Sequence, residues 1–468
     1  MSRSFYLRVF GCQMNQHDAE KIGNLLYHAD YLATDTIGAA DLILIHTCSV
    51  REKAESKLYS ELGAIRRLKR ERPELIVGVG GCVAQQEGRA LLSRFDHLDF
   101  VFGSQNLRHL PAMIEQAQQR RRSLRIDFEA DRELRFDLPE RHPDYPARTP
   151  GRAFVTVMEG CDLFCAFCVV PTTRGREVSR PSLAILEEVR ERAAHGVVEV
   201  TLLGQTVNAY GRPRPGMAHG EMPFAELIAS IAAIPGIRRV RFTSPHPIFM
   251  TPELIRAYGR VEELCPHLHL PVQSGADATL SAMNRRYTRG EYLETVAALR
   301  RARPGLAIST DLIVGFPGES DRDFEDTLDL VREVDFIDSF SFVYSSRPGT
   351  RATRNADGAV EPEIARERLA RLQAQQDQQT LSHHQRRVGR RVEVLVEGPS
   401  KRGGRQQQGR CPEHRVVNFT AAAPVPTGSF VMVEISEAQP HSMLGARVDS
   451  REPIPEPAAP GPLELPLV

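Results

Sequence analysis

The chain has 468 residues, and its 60 basic and 60 acidic side chains balance to a formal net charge of zero. That balance excludes a polycation that coats nucleic acid wholesale, though not a local basic patch. With 41% hydrophobic and 26% charged residues the composition is that of a globular protein, long enough for about three domains.

No apolar run approaches the ~18 residues of a membrane span. The first ten residues carry no cleavage-like site, so the expected compartment is the cytoplasm. Eight cysteines are spread over the chain: Cys12, Cys48, Cys82, Cys161, Cys165, Cys168, Cys265 and Cys411. In a reducing compartment spaced cysteines more often bind metal or do chemistry than pair with one another. Cys265 and Cys411 read as small buried hydrophobes.

Residues 1–142 form the first predicted module. Strand-like runs at 5–10, 42–45 and 75–79 each lead into a turn holding a cysteine and then a helix-like stretch, at 15–29, 51–70 and 85–95. The alternation predicts a parallel sheet with right-handed crossovers. Cys12, Cys48 and Cys82 then share the carboxyl edge of neighbouring strands, the edge where open α/β sheets bind ligands. Three converging thiols suit a soft metal or an iron–sulfur cluster. Residues 116–150 read as a join broken by prolines. Its arginines Arg120, Arg121, Arg122 and Arg125 are a solvated face or, alternatively, phosphate contacts.

Residues 143–385 form the second module. A strand at 154–158 runs into Cys161-x3-Cys165-x2-Cys168. Three thiolates at this spacing ligate three irons of a [4Fe–4S] cluster and leave the fourth open. The alternative is a structural zinc site, but no fourth Cys or His follows nearby to close it. Phe164 and Phe167 suit an apolar shell around the metal. Further strands are expected at 198–203, 237–243, 267–271, 307–314 and 337–343. Helices are expected at 183–194, 224–234, 290–302 and 323–334. Six βα units are short of the eight of a closed barrel, so the module reads as a partial barrel open on one side. Polar residues recur at the carboxyl ends of its strands, among them Gln205, Asn208, Ser244, His246, Gln273, Ser274 and Glu319. Each is either a ligand contact or an ordinary loop residue.

Residues 386–451 carry short strands at 392–396, 416–419 and 430–435, the pattern of a small β-barrel. This segment has eleven basic and six acidic side chains. Lys401, Arg402, Arg405, Arg410 and Arg415, interleaved with glutamines and Asn418, suit nucleic-acid phosphates, and Phe419 is placed to stack or to pack. A solvated rim is the alternative. Residues 452–468 are proline-rich and expected to be disordered.

The motif Cys161-x3-Cys165-x2-Cys168 resembles the cluster motif of radical S-adenosylmethionine enzymes. Together with the upstream cysteines and the small basic barrel, which resembles a TRAM domain, it is similar to the methylthiotransferases of that superfamily, over nearly the whole chain. The wording of Thr47 to Ala54, Val169 to Pro171, Leu202 to Gly211, Val396 to Lys401, Gly409-Arg410 and Arg415 to Phe419 resembles the branch that acts on tRNA. His46, Asp162-Leu163, Thr172 and Ser244-Pro245-His246 depart from the family's usual residues without removing a cysteine.

The resemblance implies an α/β fold: an N-terminal parallel βα domain, a partial (β/α)6 radical barrel and a C-terminal β-barrel. It implies methylthiolation at C2 of N6-dimethylallyladenosine beside the anticodon, at position 37. That C–H bond has no acidic proton, so its cleavage calls for a radical, supplied by a cofactor that the protein orients. One [4Fe–4S] cluster on Cys161, Cys165 and Cys168 would cleave S-adenosylmethionine. A second, auxiliary cluster on Cys12, Cys48 and Cys82 would hold the sulfur, with a second S-adenosylmethionine as methyl donor. Phe167, Gln205, Asn208, Ser244, Gln273, Asp311, Gly315 and Glu319 are the cofactor-binding candidates. Lys401, Arg402, Arg410, Arg415, Asn418 and Phe419 are the RNA-binding ones.

The expected partners are the tRNA, a flavodoxin- or ferredoxin-like electron donor and iron–sulfur supply proteins; a monomer is expected. Two alternatives stand beside this reading. One is a methylthiotransferase for threonylcarbamoyl-adenosine in tRNA or for a ribosomal protein side chain. The other is a non-catalytic RNA-binding protein with structural metal.

Overall fold

The fold was analysed in a computed structural model. It describes residues 3–49, 52–129, 135–136, 139–146, 149–212, 221–354, 358–401, 403–404 and 406–448, with backbone alone at 52–54. Val50-Arg51, Arg402, Arg405 and the proline-rich tail therefore lie outside the described residues. Residues 1–375 form one compact unit and residues 376–468 another.

The first unit opens with a parallel six-stranded sheet in the order β2-β1-β3-β4-β5-β6. Its strands are β1 (Arg3–Val9), β2 (Tyr31–Ala33), β3 (Leu42–Thr47), β4 (Ile76–Gly81), β5 (Phe100–Phe102) and β6 (Ser123–Arg125). The three long strands match those expected; β2, β5 and β6 are too short to carry a pattern of their own. Along β3, Leu42 and Leu44 face one apolar cluster while Ile43 and Ile45 face the other. Both faces are covered, which is why the strand is continuously apolar rather than alternating. Helices α1 (Gln13–His28), α2 (Glu52–Glu71) and α3 (Cys82–Glu87) follow β1, β3 and β4.

The second sheet system has the six expected strands in two parallel groups of three. One group is β7 (Arg152–Thr156), β10 (Glu199–Leu203) and β11 (Arg239–Phe242); the other is β12 (His267–His269), β13 (Ala307–Val314) and β14 (Asp338–Val343). A single bridge between Val240 and Leu264 joins the groups. A two-stranded ribbon, β8 (Met158–Glu159) with β9 (Val178–Ser179), flanks the cysteine loop. The largest apolar core lies between these strands and their helices, with Val200, Leu202, Val240, Leu268, Ile308, Leu312 and Val314 from the strands. The helices at Arg289–Ala302 and Asp321–Val334 begin with reciprocal caps, Thr288 with Glu291 and Ser320 with Asp323, a start signal written in the sequence.

The two sheet systems share one unit because loops of the first clasp the second. Ser104 Oγ donates to the Thr173 carbonyl at 2.8 Å and Gln105 Nε2 to the Arg174 carbonyl at 2.7 Å. The second unit closes a five-stranded barrel from β15 (Arg391–Pro399), β16 (Gln406–Arg410), β17 (Val416–Thr420), β18 (Phe430–Gln439) and β19 (Ser442–Val448). Val392, Val394, Val417, Phe419, Val433 and Ile435 fill its interior. No helix among the described residues is long and apolar enough to cross a membrane.

Candidate active site

Cys12, Cys48 and Cys82 end β1, β3 and β4, adjacent strands of the first sheet. Cys12 is the N-cap residue of α1 and is exposed; Cys48 and Cys82 are buried. Gly11 has φ +122°, and a Cβ there would sit on the Cys48 Cβ and 3.0 Å from its Sγ. Only glycine lets the two cysteines approach. A hydrogen bond with Cys48 is the largest cause holding the Cys12 thiol down at about 6, while burial pushes Cys82 up. Beside them Arg174 Nη2 donates to Asp18 Oδ2 at 2.6 Å and to Asn15 Oδ1 at 3.3 Å, and His46 Nε2 lies 3.3 Å from the same Asp18 oxygen. Burial alone would raise Asp18, but Arg174 and His46 outweigh it and hold the carboxyl well below the usual range.

The second triad sits on the loop after β8. Gly160 has φ +78°, and a Cβ on it would strike the Arg176 and Gly175 carbonyls. The Cys161 N–H donates to the Gly175 carbonyl at 3.2 Å, and its Sγ lies 3.1 Å from Thr206 Oγ1. Arg285 Nη1 donates to Cys165 Sγ at 3.5 Å and the Val170 N–H to Cys168 Sγ at 3.4 Å. Burial pushes Cys168 up to about 12 and raises Cys161 too. Such thiols ionise when metal takes the proton's place. The segment 283–286 latches the loop: Met283 accepts from the Ala166 N–H, while Asn284 and Arg286 donate to the Leu163 carbonyl. Phe167 packs against the apolar group of Ala166, Met283, Phe316 and Ala352.

Among the described residues no three His, Cys, Asp or Glu side chains gather closely enough to hold a single metal ion. Each triad also couples electrostatically within itself, Cys12 with Cys48 and Cys82, and Cys161 and Cys165 with Cys168. Three thiols in each place suit a cluster with one iron left open.

The cofactor-binding candidates fall into two groups. Gln205 Oε1 accepts from the Gly160 N–H, so it touches the second cysteine loop itself. Ser244 is exposed at the end of β11; Gln273 bridges to Leu312 of β13; Gly315, with φ +70°, follows β13. Asp311 is partly exposed on β13, 3.3 Å from His269 Nε2. Asn208 and Glu319 are engaged within the protein. Asn208 commits both ends of its amide to the His246 backbone, at 2.9 and 2.8 Å. The fully buried Glu319 carboxylate accepts from the Gly315 N–H and from Arg368, both at 2.7 Å. These two side chains brace the loops after their strands. His269 also meets the ring of Phe340, and Phe340 and Phe342, two residues apart on the edge strand β14, are half exposed.

Two relatives decide the family. A tRNA-2-methylthio-N(6)-dimethylallyladenosine synthase from Geobacter metallireducens is 50% identical over 443 residues, covering 94% of this chain and 97% of that protein. One from Burkholderia mallei is 46% identical over 457 residues, covering 96% and 98%. The chain belongs to the tRNA-2-methylthio-N(6)-dimethylallyladenosine synthase family.

Three family models divide this synthase-family chain. Residues 4–103 match the uncharacterized protein family UPF0004, 155–331 the radical SAM superfamily and 385–447 the TRAM domain. The fold is shared with a radical S-adenosylmethionine methyltransferase, TsrM, from Kitasatospora setae, solved with cobalamin and a [4Fe-4S] cluster bound. Its TM-score is 0.55 at 16% identity, covering 75% of this chain and 77% of that one.

Within the TRAM-matched barrel three of the five described RNA-binding candidates, Arg415, Asn418 and Phe419, are buried. Phe419 is fully buried, so its ring packs and offers no face to a base. Asn418 accepts from Ser400 Oγ at 2.8 Å, and the buried Arg415 donates to His384 Nε2 at 2.9 Å. Arg410 is held by Glu397 at 3.1 Å; Lys401 is exposed. In a closed barrel alternate residues must point inward, and the sequence pattern alone did not say which set. Sequence reasoning also passed over Arg174, Arg285 and Asn284. Arg174 follows the cysteine loop as arginines commonly do on any surface, and Asn284 and Arg285 lie 120 residues from the loop residues they touch.

Proposed function

We propose that the chain is a radical S-adenosylmethionine tRNA methylthiotransferase. It converts N6-dimethylallyladenosine at position 37, beside the anticodon, to its 2-methylthio derivative. The observation that carries this reading is the pairing of two three-thiol sites in one compact unit, in a chain of this family. Cys161, Cys165 and Cys168 would hold one [4Fe–4S] cluster and Cys12, Cys48 and Cys82 the other. With S-adenosylmethionine bound, the clusters supply one-electron chemistry able to take hydrogen from an unactivated C–H bond and to deliver sulfur and a methyl group.

The protein's own part is electrostatics and placement. Arg285 and the Val170 N–H donate to cluster thiolates, which stabilises their charge. Asn284 and Arg286 fix the loop that carries those thiolates. Gln205, Ser244, Gln273, Asp311 and Gly315 line the carboxyl side of the barrel strands, where S-adenosylmethionine binds. Half-exposed Phe340 and Phe342 on the edge strand give an apolar N6 substituent a wall, which suits dimethylallyl better than a charged threonylcarbamoyl group. Lys401, with Arg402 and Arg410, contacts RNA phosphates from the small barrel. The target base leaves its stack to reach the radical site. The enzyme works in the cytoplasm as a monomer, with a flavodoxin- or ferredoxin-like electron donor and iron–sulfur supply proteins.

Nucleoside mass spectrometry tests this reading. In a host lacking its own enzyme, expression of the chain should convert N6-dimethylallyladenosine in tRNA to the 2-methylthio product. Unchanged precursor, from a chain carrying both clusters, would overturn the substrate assignment.

A further inference from the structure

Arg174 belongs by sequence to the radical-barrel cysteine loop, yet its side chain enters the pocket of the other triad. The guanidinium is 3% exposed. Nη2 is bound to Asp18 and Asn15 of α1, and Asn15 Oδ1 in turn lies 3.9 Å from Cys12 Sγ. Among the described residues Nη1 is buried and meets no acceptor at full hydrogen-bond geometry. A buried guanidinium N–H without an acceptor is costly, and an anionic group beside it would remove that cost. The candidates for that acceptor are at hand. The charge of Arg174 bears on the Cys12 and Cys82 thiols, and hydrogen bonding adds to its effect on Cys82.

The backbone of Arg174 is held on both sides. Its carbonyl accepts from Gln105, its N–H donates to the Val170 carbonyl at 2.7 Å, and the next carbonyl, of Gly175, accepts from the Cys161 N–H. Asp18 neutralises the guanidinium once.

We propose that Arg174 is a positioning residue for the cluster on Cys12, Cys48 and Cys82. Its free N–H and its charge, delivered from the radical-barrel loop and aimed by Asp18, stabilise that cluster's negative charge and raise its reduction potential. Charge and hydrogen bonds to sulfur are the levers a protein has on such potentials. This inference rests on the cluster assignment proposed above. It adds that one module supplies the electrostatics of a cluster whose cysteines all lie in the other.

The test uses the full chain with Cys161, Cys165 and Cys168 replaced by Ala, so that the auxiliary cluster alone is observed. Its midpoint potential is read by redox titration followed by electron paramagnetic resonance, with iron and sulfide measured per chain. Arg174→Gln should lower the potential by at least a tenfold change in the reduction equilibrium, which is about 59 mV for one electron. Arg174→Lys, which keeps the charge, should recover most of the shift. Should Arg174→Gln lose the cluster outright, retention by Arg174→Lys still supports a need for the cation. In the reciprocal chain, with Cys12, Cys48 and Cys82 replaced, the remaining cluster's potential should not move with Arg174→Gln.

An unchanged potential in Arg174→Gln at full iron content would overturn the inference and leave the cluster assignment standing. So would equal loss from the Gln and Lys variants, or an equal shift in the reciprocal chain. A parent chain that forms no auxiliary cluster would instead overturn the assignment, and the inference with it.

Discussion

Gly11→Ala should remove the auxiliary cluster while sparing the other. Gly11 has φ +122°, outside the left-handed region an alanine can borrow, and adopting it costs about 1–3 kcal/mol. The added Cβ would lie on the Cys48 Cβ and 3.0 Å from its Sγ, where carbon contacts are ordinarily about 3.5–4.0 Å. Relief requires Cys48 or the Cys12 turn to move by about an ångström, twice the ~0.5 Å within which such a constellation must be held. Taking about 2–3 kcal/mol for strain and displacement together, the triad's hold on its cluster falls about 30- to 150-fold.

The assay is iron and acid-labile sulfide per chain, read beside cofactor cleavage. The wild type should hold about eight irons, two clusters' worth, and Gly11→Ala about four. S-adenosylmethionine should still be cleaved and no methylthiolated product should form. Gly38→Ala is the control, because a Cβ there has nothing within 4 Å. A Gly11→Ala chain with full iron and full product would refute the steric argument.

Three further outcomes follow from buried groups. Arg368→Met leaves the fully buried Glu319 without its cation and should cost about 3–5 kcal/mol in the first unit's stability, read as a lowered thermal midpoint; adding Glu319→Gln should restore much of it. His17 is buried and its pKa is depressed by burial to about 3, so the unfolded chain takes up a proton that the native chain refuses. Its stabilising contribution is full above about pH 6.5 and is lost as pH falls from there toward 3, by up to about 1.4 kcal/mol per pH unit; the wild type's thermal midpoint should drop between pH 7.5 and 5 more steeply than that of His17→Leu. Cys265 and Cys411 are buried outside both cysteine motifs, and burial pushes Cys411 up to about 12; Cys265→Ala and Cys411→Ala should each keep full iron and activity.

The sequence made the cysteines and the frame legible because their signals are local. A strand, a cysteine turn and a helix repeat within reach of one βα unit, and the six barrel strands have enough apolar length to stand out. β16 was passed over because Gln406-Gln407-Gln408-Gly409-Arg410 carries no apolar residue, although closure of the barrel makes it a strand. The 24-residue helix Pro362–Gln385 was missed for a similar reason, since arginine and glutamine dominate it. Site residues that act through tertiary contact were not legible at all. Nothing local in Arg174 or Arg285 says that it ends beside a thiol. Phe419 and Arg415 pointed the other way: an aromatic and a cation in a basic segment look like RNA contacts until Phe419 fills the barrel interior and Arg415 is buried against His384. Single-strand alternation leaves the inward face undecided, and only the paired strands settle it.

The central claim is that the two triads hold separate clusters with separate duties on one RNA base. Purified, reconstituted chain incubated with S-adenosylmethionine, a low-potential reductant and tRNA carrying N6-dimethylallyladenosine tests it, with 5′-deoxyadenosine and methylthiolated nucleoside both quantified by mass spectrometry. The account predicts both products from the wild type, neither from Cys161→Ala, and 5′-deoxyadenosine without methylthiolated nucleoside from Cys48→Ala. Full methylthiolation by Cys48→Ala would contradict it.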